Sequence, residues 1–329
     1  MKRKILILAL CFVIQMHLGF AVAQQPAKIP RIGYVSGTGN ATNQGPYVEA
    51  LRQGLRELGD IEGKNLTIEY RGAEGKMERV PALVAELVEL KVDVLIAPTP
   101  GAIRAAKQAT KTIPIVIISW IDPVETGIVD SLARPGGNIT GFATLSSELS
   151  GKRLGLLKEA VPRLSRVGVL RAPNEQNAVI SFKEYSDAAR ALKIQIQSLD
   201  VQIPNPNLEG AFQAAVKGRV GALITVTTAE LFLQQKRVAE LAIKNRLPSL
   251  FQGSTWVETG GLMSYSTDEI AVFPQAARHV DKILKGTKPA DIPVEQPMKF
   301  EFVINLKTAK QIGLTIPQWT LMKADRVIK

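Results

Sequence analysis

The chain reads as an α/β protein built from two similar units, each with a parallel central sheet. Three observations carry that reading. Short apolar runs alternate with segments whose apolar residues recur at helical spacing, as crossover units require. One run, residues 92–97, holds almost no polar side chain, which suits a strand buried on both faces. The pattern then stops at a turn cluster, Ala133-Arg134-Pro135-Gly136-Gly137-Asn138, and starts again.

Each element follows from the same logic. Arg31-Ile32-Gly33-Tyr34-Val35 predicts the first strand, and Val48, Leu51, Leu55 and Leu58 a helix after it. Residues 65–70 read as a strand, and Met77, Val80, Leu83, Leu87 and Leu90 mark the next helix. Beyond the strand at 92–97 come a short helix over 101–110 and a strand over 113–118. Past the turn cluster, 139–144 is extended and 150–161 helical. The second series begins with a strand at 167–170 and a helix lined by Phe182, Tyr185, Ala189 and Leu192. A strand at 194–199, a helix at 208–216 and a buried strand at 222–226 continue it. A helix running to Asn245 precedes strands at 249–251 and 262–264. Ile270, Phe273, Ala277, Val280 and Ile283 give a further helix, stopped by Lys285-Gly286 with Pro289 beyond. The chain closes with a strand at 300–304 and a short helix at 306–312, for which Gly313 is the stop. A chain that returns after two complete units can pass back between them, and several such crossings make a hinge.

The first residues set the expected location. Lys2, Arg3 and Lys4 precede an apolar stretch from Ile5 to Ile14, and Ala21-Val22-Ala23 supplies small residues for a signal peptidase. This pattern predicts a signal peptide over residues 1–23, cleaved after Ala23, and a periplasmic mature protein. Gln15 and His17 interrupt the apolar run well short of the roughly 20 residues of a spanning helix, and no cysteine follows it to carry a lipid. Cleavage removes Cys11 and His17, which leaves a mature chain without cysteine and with His279 as its histidine. Disulfides, a cysteine nucleophile and a Cys/His zinc site are thereby excluded. A Ser-His-Asp triad would have to use His279, expected on the solvated face of its helix, and no Gly-x-Ser-x-Gly elbow is present. The formal net charge of +11 includes three cations of the leader. The remaining cations are scattered rather than interleaved with aromatics, so a generally basic surface is expected and not a nucleic-acid site.

In open parallel sheets ligands bind beyond the carboxyl ends of the strands, which selects the loops to read. After the first strand comes Ser36-Gly37-Thr38-Gly39-Asn40-Ala41-Thr42-Asn43-Gln44-Gly45, polar and uncharged. After the third comes Thr99-Pro100-Gly101, and after the fourth Ser119-Trp120-Ile121-Asp122-Pro123. The matching loops of the second unit are residues 171–177, 225–228 and 252–256. Rich in Ser, Thr, Asn and Gln, with Trp120 and Trp256, they suit hydrogen bonding to a small ligand against one stacking wall. Thr99-Pro100 and Asp122-Pro123-Val124-Glu125 also read as helix starts, the second with a capping box. Asp122 is therefore open to a capping or a ligand role, and each tryptophan to a core or a ligand role. A helix start offers free N–H groups that hold a carboxylate without a cation. Gly37-Thr38-Gly39 does not complete a dinucleotide loop, because Thr42 stands at the third glycine position. No phosphate-binding loop appears, and no spacing singles out two carboxylates. No cofactor, no metal and no catalytic residue is expected.

Several motifs together resemble the ABC transporter substrate-binding proteins, in the branch that includes tryptophan- and tyrosine-type binding proteins. In the first unit they are Ile32-Gly33-Tyr34-Val35, the stretch 54–59 with Gly63-Lys64-Asn65-Leu66, and Val92-Asp93-Val94. Ile113-Pro114-Ile115-Val116, Asp122-Pro123-Val124 and Arg134-Pro135-Gly136-Gly137-Asn138-Ile139-Thr140-Gly141 match more closely. The end of the chain adds Leu284-Lys285-Gly286, Ile292-Pro293-Val294-Glu295, Ile304-Asn305-Leu306-Lys307-Thr308-Ala309, Gly313-Leu314 and Ala324-Asp325. The resemblance implies a periplasmic-binding-protein type I fold: two Rossmann-like lobes, a hinge of several crossing segments, and a ligand held between. The lobes would be residues 28–142 plus 266–293 and residues 143–265 plus 294–329. It carries Thr99, Pro100, Ala102, Asp122 and Asn177 to the ligand. The loop reading adds Ser36, Thr38, Asn40, Trp120, Thr227, Thr228 and Gln252. Where the family often has an Asp at the end of the second lobe's third strand, this chain has Thr227-Thr228, which can hydrogen-bond but cannot neutralise an ammonium. The implied function is non-enzymatic. A monomeric extracytoplasmic receptor would bind a small polar or amino-acid-like solute and deliver it to an ABC permease in the inner membrane. The alternative is a periplasmic ligand sensor that docks to a signalling receptor.

Overall fold

The computed structural model describes residues 28–37, 39–40, 42–144, 149–297 and 299–329; the expected leader and Thr38 lie outside these. The first half lays down β1 (Arg31–Ser36), α1 (Pro46–Glu57), β2 (Thr67–Gly72), α2 (Val80–Glu89), β3 (Val94–Ala97), α3 (Pro100–Ala109), β4 (Ile115–Ser119) and β5 (Ile139–Ala143). Its five strands form a wholly parallel sheet in the order β2-β1-β3-β4-β5. Every residue of β3, β4 and β5 is buried, as apolar runs between two helical layers require.

The second half continues with α4 (Ser150–Ala160), β6 (Arg166–Arg171), α5 (Gln176–Leu192), β7 (Gln195–Asp200), α6 (Leu208–Lys217), β8 (Ala222–Thr225), α7 (Ala229–Leu233), α8 (Gln235–Lys244), β9 (Ser249–Phe251), α9 (Ser254–Glu258) and β10 (Met263–Thr267). Then come α10 (Glu269–Leu284), β11 (Phe300–Asn305), α11 (Leu306–Gln311), α12 (Gln318–Leu321) and β12 (Arg326–Ile328). The second sheet has seven strands in the order β12-β11-β10-β9-β8-β6-β7. Apolar clusters line both faces of each sheet, so each lobe is a helix–sheet–helix sandwich.

Three segments connect the lobes. One leaves β5 at its carboxyl end, a second runs from β10 into α10, and a third runs from residue 292 to β11. They are stitched together. Ala143 N–H donates to the Glu295 carbonyl and Glu295 N–H to the Gly141 carbonyl, which lays the third crossing beside β5. Thr140 Oγ1 donates to the Ile292 carbonyl at 2.7 Å. Lys299 Nζ reaches Asp268 at 3.1 Å and ties the third crossing to the second. This routing also explains the one antiparallel pair, β10–β11, in a lobe expected to be parallel. The chain departs at the carboxyl end of β10 and comes back at that same end, so β11 can only run the other way, with β12 alongside it.

α10 belongs to the first lobe by packing, although it follows β10. Its Pro274 lies against Gly54 of α1: a Cβ at Gly54 would stand 2.6 Å from Pro274 Cα and 2.9 Å from Ala277 Cβ. The same helix carries His279, expected at a solvated face but 1% exposed. Its ring tilts against Phe142 with centroids 4.6 Å apart, and Nε2 lies 3.3 Å from the Pro293 carbonyl. That contact requires Nε2 to carry the proton. The cause is helical phase, because Val272, Ala276, His279 and Ile283 form one buried stripe.

Other expectations shift locally. Strands expected at 92–97 and 113–118 begin at Val94 and Ile115. The helix start expected at Asp122 is instead a turn over residues 123–127. Gly127 takes φ +65°, and the Pro123 carbonyl receives the N–H groups of both Ile128 and Val129, which ends the turn before a helix can propagate. The five-residue α9 forms in a stretch expected to be loop, and it and the three-residue β12 are too short to give a periodic signal.

Two outcomes test this packing. Gly54→Ala raises helix propensity by roughly 1 kcal/mol, yet overpacking against Pro274 is expected to lower stability by about 1–3 kcal/mol in denaturant unfolding. Gly155→Ala in α4, where nothing lies within 4 Å of the new carbon, is expected to be neutral or to gain up to about 1 kcal/mol. A stabilised Gly54→Ala would refute the close approach of α1 and α10. His279 gives a pH test. Burial holds its pKa below the ordinary 6.5, against the opposing pull of the Pro293 carbonyl and Glu295, with Lys282 adding to the depression. At pH values above 6.5 the ring is neutral folded or unfolded; below it the unfolded chain takes the proton first, so stability falls as pH falls. The unfolding midpoint should drop more steeply between about pH 7 and pH 5 in the wild type than in His279→Gln. Equal slopes would contradict this.

Candidate functional site

The segments beyond the carboxyl ends of β3 and β4 meet the start of α5, beyond β6, and the loop after β2 meets α7, beyond β8. On the first lobe, Ser36 ends β1, and its carbonyl receives the Ala73 N–H while the Gly37 carbonyl receives that of Gly75. The loops after β1 and β2 are thereby joined. Asn40 does not project freely: its Oδ1 accepts from Thr42 N–H at 3.0 Å, Thr42 Oγ1 at 2.8 Å and Asn43 N–H at 2.9 Å, closing its own loop. Tyr70, across the β1–β2 register from Tyr34, adds an aromatic that the sequence reading did not single out. Its ring stacks on Tyr34 with centroids 5.7 Å apart, and burial raises its pKa against the pull of a Ser36 hydrogen bond.

Thr99 caps α3, its Oγ1 accepting from Ala102 N–H at 3.3 Å, with Pro100 at the first helical position. Ala102 itself is fully buried, so its methyl group serves the core and its N–H serves the cap. Trp120 is half-buried. Asp122 Oδ1 accepts from Val124 N–H at 2.7 Å and Glu125 N–H at 3.2 Å, which is the capping role, set on a turn.

The second lobe brings four expected residues together. Asn177 Nδ2 donates to the Thr227 carbonyl at 3.2 Å, and Gln252 Oε1 accepts from Thr227 N–H at 3.0 Å. Thr228 caps α7 through its Oγ1, which accepts from Leu231 N–H at 3.2 Å. Both amides are thus oriented by the backbone of one residue, Gln252 by the N–H of Thr227 and Asn177 by its carbonyl. Thr227 Oγ1 and Gln252 Nε2 are buried and have no hydrogen-bond partner. Trp256, the other tryptophan of these loops, is a core residue, 1% exposed and stacked on Phe251 at 4.9 Å.

The lobes approach on both flanks of the gap. On one, Gln176 at the start of α5 joins Pro100, Ile103, Arg104, Ser119, Ile121, Thr126 and Ile128 around a small recess. Pro100 is the expected residue that lines it; Arg104 and Gln176 were missed. Arg104 lies one helical turn beyond Pro100, and Gln176 precedes Asn177, so adjacency to the expected residues was the available signal. Arg104 makes no ion pair among the described residues. On the other flank, Leu233 of α7 comes within 3.2 Å of where a Cβ on Gly75 would sit. Arg171, at the end of β6, is held by Asp200 at 2.9 Å and stacks over Phe182. These loops therefore present hydroxyls, amides, the starts of α3, α5 and α7, and the Arg104 guanidinium. His279 lies beneath the third crossing and serves packing.

Comparison with known proteins agrees with this architecture. A family model described as ABC transporter substrate binding protein matches residues 41–328. A tyrosine-binding protein of Clostridioides difficile (strain R20291) is 27% identical over 273 residues, covering 82% of this chain and 78% of that one. A conserved domain protein from Vibrio cholerae superposes with a TM-score of 0.83 at 27% identity, over 91% of this chain and 100% of its own. An ABC domain from Streptococcus pneumonia, solved in complex with L-Trp, gives a TM-score of 0.83 at 25% identity, over 91% of this chain and 99% of its own. The fold is that of type I periplasmic binding proteins. Among the described residues no helix is long and apolar enough to cross a membrane.

Proposed function

The chain belongs to the ABC transporter substrate-binding protein family, and we propose that it is an extracytoplasmic solute receptor working by lobe closure. Residues 28–142 with 266–293, and 143–265 with 294–329, would act as the two clamping bodies. The observation that carries this reading is the set of hydrogen-bonding groups gathered at facing strand ends: Thr99 at the start of α3, and Asn177, Thr227, Thr228 and Gln252 opposite. Contacts to both walls exist only when the lobes are closed, so a bound solute shifts the population toward closure. Leu233 against Gly75 adds an apolar contact made at closure. The solute is a small polar or amino-acid-like molecule, a class supported by the tyrosine and tryptophan named for its relatives. The closed form would then deliver it to a permease in the inner membrane, with a monomeric receptor, no cofactor and no chemical step.

A thermal-shift panel of amino acids, their des-amino acids, amines, sugars and polyols tests this. A solute at a hundredfold its Kd adds about 2.7 kcal/mol, a rise of roughly 4 °C for a chain of this size. Leu233→Asn should leave the ligand-free Tm within about 0.5 kcal/mol of wild type, as an exposed position predicts, while reducing the solute-induced shift. A panel with no stabilising member would defeat the receptor reading.

A further inference from the structure

We propose that His279 is a proton-sensitive lock on the hinge: the covered, uncharged ring belongs to the conformation in which the lobes meet, and protonating it favours opening and weakens solute binding. The proposal goes beyond the receptor reading, and its solute arm rests on that reading. His279 stands where the three crossings converge on the first lobe. The second crossing runs into α10, which carries the residue. Phe142, at the exit of the first, packs on the ring. The third lies over it, with the Pro293 carbonyl 3.3 Å and Glu295 Oε1 3.9 Å from Nε2. That stretch is fastened to β5 by the Glu295 hydrogen bonds with Gly141 and Ala143. Packing alone does not call for a histidine here: its neighbours on the stripe are apolar, and Nδ1 is buried without a partner.

Protonation would enclose a full charge. β4 and β5, against which the ring packs, carry no charged side chain. α1 meets α10 on another face, at Pro274 and Ala277. The charged groups that face the ring are Glu295 of the third crossing, which attracts, and Lys282 of α10 itself, which repels. At 3.9 Å Glu295 is too far for a charge-assisted hydrogen bond, so the charged ring needs water. Phe142 and α10 belong to the first-lobe core, whereas Glu295 is half-exposed and marks the side from which water arrives. Admitting it shifts residues 293–295 and their bonds to β5. The crossing continues to β11, so that shift turns the second lobe. In the present conformation the lobes touch through Leu233 and Gly75, so this is the arrangement the neutral ring favours. Burial accordingly holds the ring below its ordinary pKa of 6.5 here. Solute binding, which selects touching lobes, is then fully supported above pH 6.5 and loses strength as pH falls below it.

Hydrogen exchange of the ligand-free protein, corrected for the intrinsic effect of pH, reads the hinge directly. The Ala143 and Glu295 amides should exchange faster than those of Leu95 and Ile115 in the first-lobe core. They should also lose about fivefold protection between about pH 7.5 and about pH 5.5. His279→Gln and the apolar His279→Met should abolish that loss. Over the same range, calorimetry should show the wild-type Kd of the tightest panel solute without a group titrating there rising about fivefold, with a proton released on binding near about pH 6. Both variants should show a level Kd and no proton release. Hinge protection or a Kd indifferent to pH in the wild type overturns the proposal, as does an equal change in the variants. These outcomes leave the receptor reading standing. A panel without a binder defeats that reading, and hydrogen exchange then decides the hinge lock alone.

Discussion

The structure depends on one topological constraint: every passage between the lobes is made at the sheet edge where β5 and β10 end. β5 exits there, β10 exits there, and the return enters the amino end of β11 beside the carboxyl end of β10. Strand ends of both sheets consequently look at each other across a gap bounded by the crossings. The return direction of β11 follows without further assumption, and so does the placement of α10 on the first lobe after the second sheet is nearly complete. Hydrogen bonds between the third crossing and β5, and the Lys299–Asp268 pair, bind the three segments into a single connection. Motion between the lobes is thereby limited to changes that these segments absorb together.

Within the gap, the chemistry is set by small polar groups held by backbone. Asn40, Thr99, Asp122 and Thr228 spend their side chains on closing turns and capping helices. They stiffen the rims more than they reach outward. The Asn177–Thr227–Gln252 group is different, because its hydrogen bonds to the Thr227 backbone leave the Thr227 hydroxyl and Gln252 Nε2 without partners. A rim made rigid by local hydrogen bonds suits recognition of a small solute at low entropic cost.

Much of this was legible in the sequence. The parallel first sheet was readable because β3 and β4 are almost wholly apolar and helical spacing separates the strands, and the family motifs spanned the mature chain. Thr99-Pro100 announced a capped helix, and it formed. Asp122-Pro123 announced one as well, but Gly127 in the left-handed region closed a turn instead. That outcome depended on where the Pro123 carbonyl found its donors, which pattern cannot show. His279 was misplaced because one polar residue inside an apolar stripe looks solvated unless the helical phase is followed through Val272, Ala276 and Ile283. Arg104 and Gln176 come to one recess through tertiary approach, from the exposed face of α3 and the first turn of α5, while Tyr70 of β2 is buried against Tyr34. The single antiparallel pair belongs to routing through the hinge and leaves no mark on local periodicity.

A receptor of this build works by exchanging an open, hydrated gap for a closed one in which both walls touch the solute. Small-angle scattering of the wild-type protein with and without its tightest-binding panel solute measures that exchange directly. The account predicts a smaller radius of gyration and a shorter maximum dimension at saturation. A profile unchanged at full occupancy would contradict it, because binding would then proceed without the lobes moving.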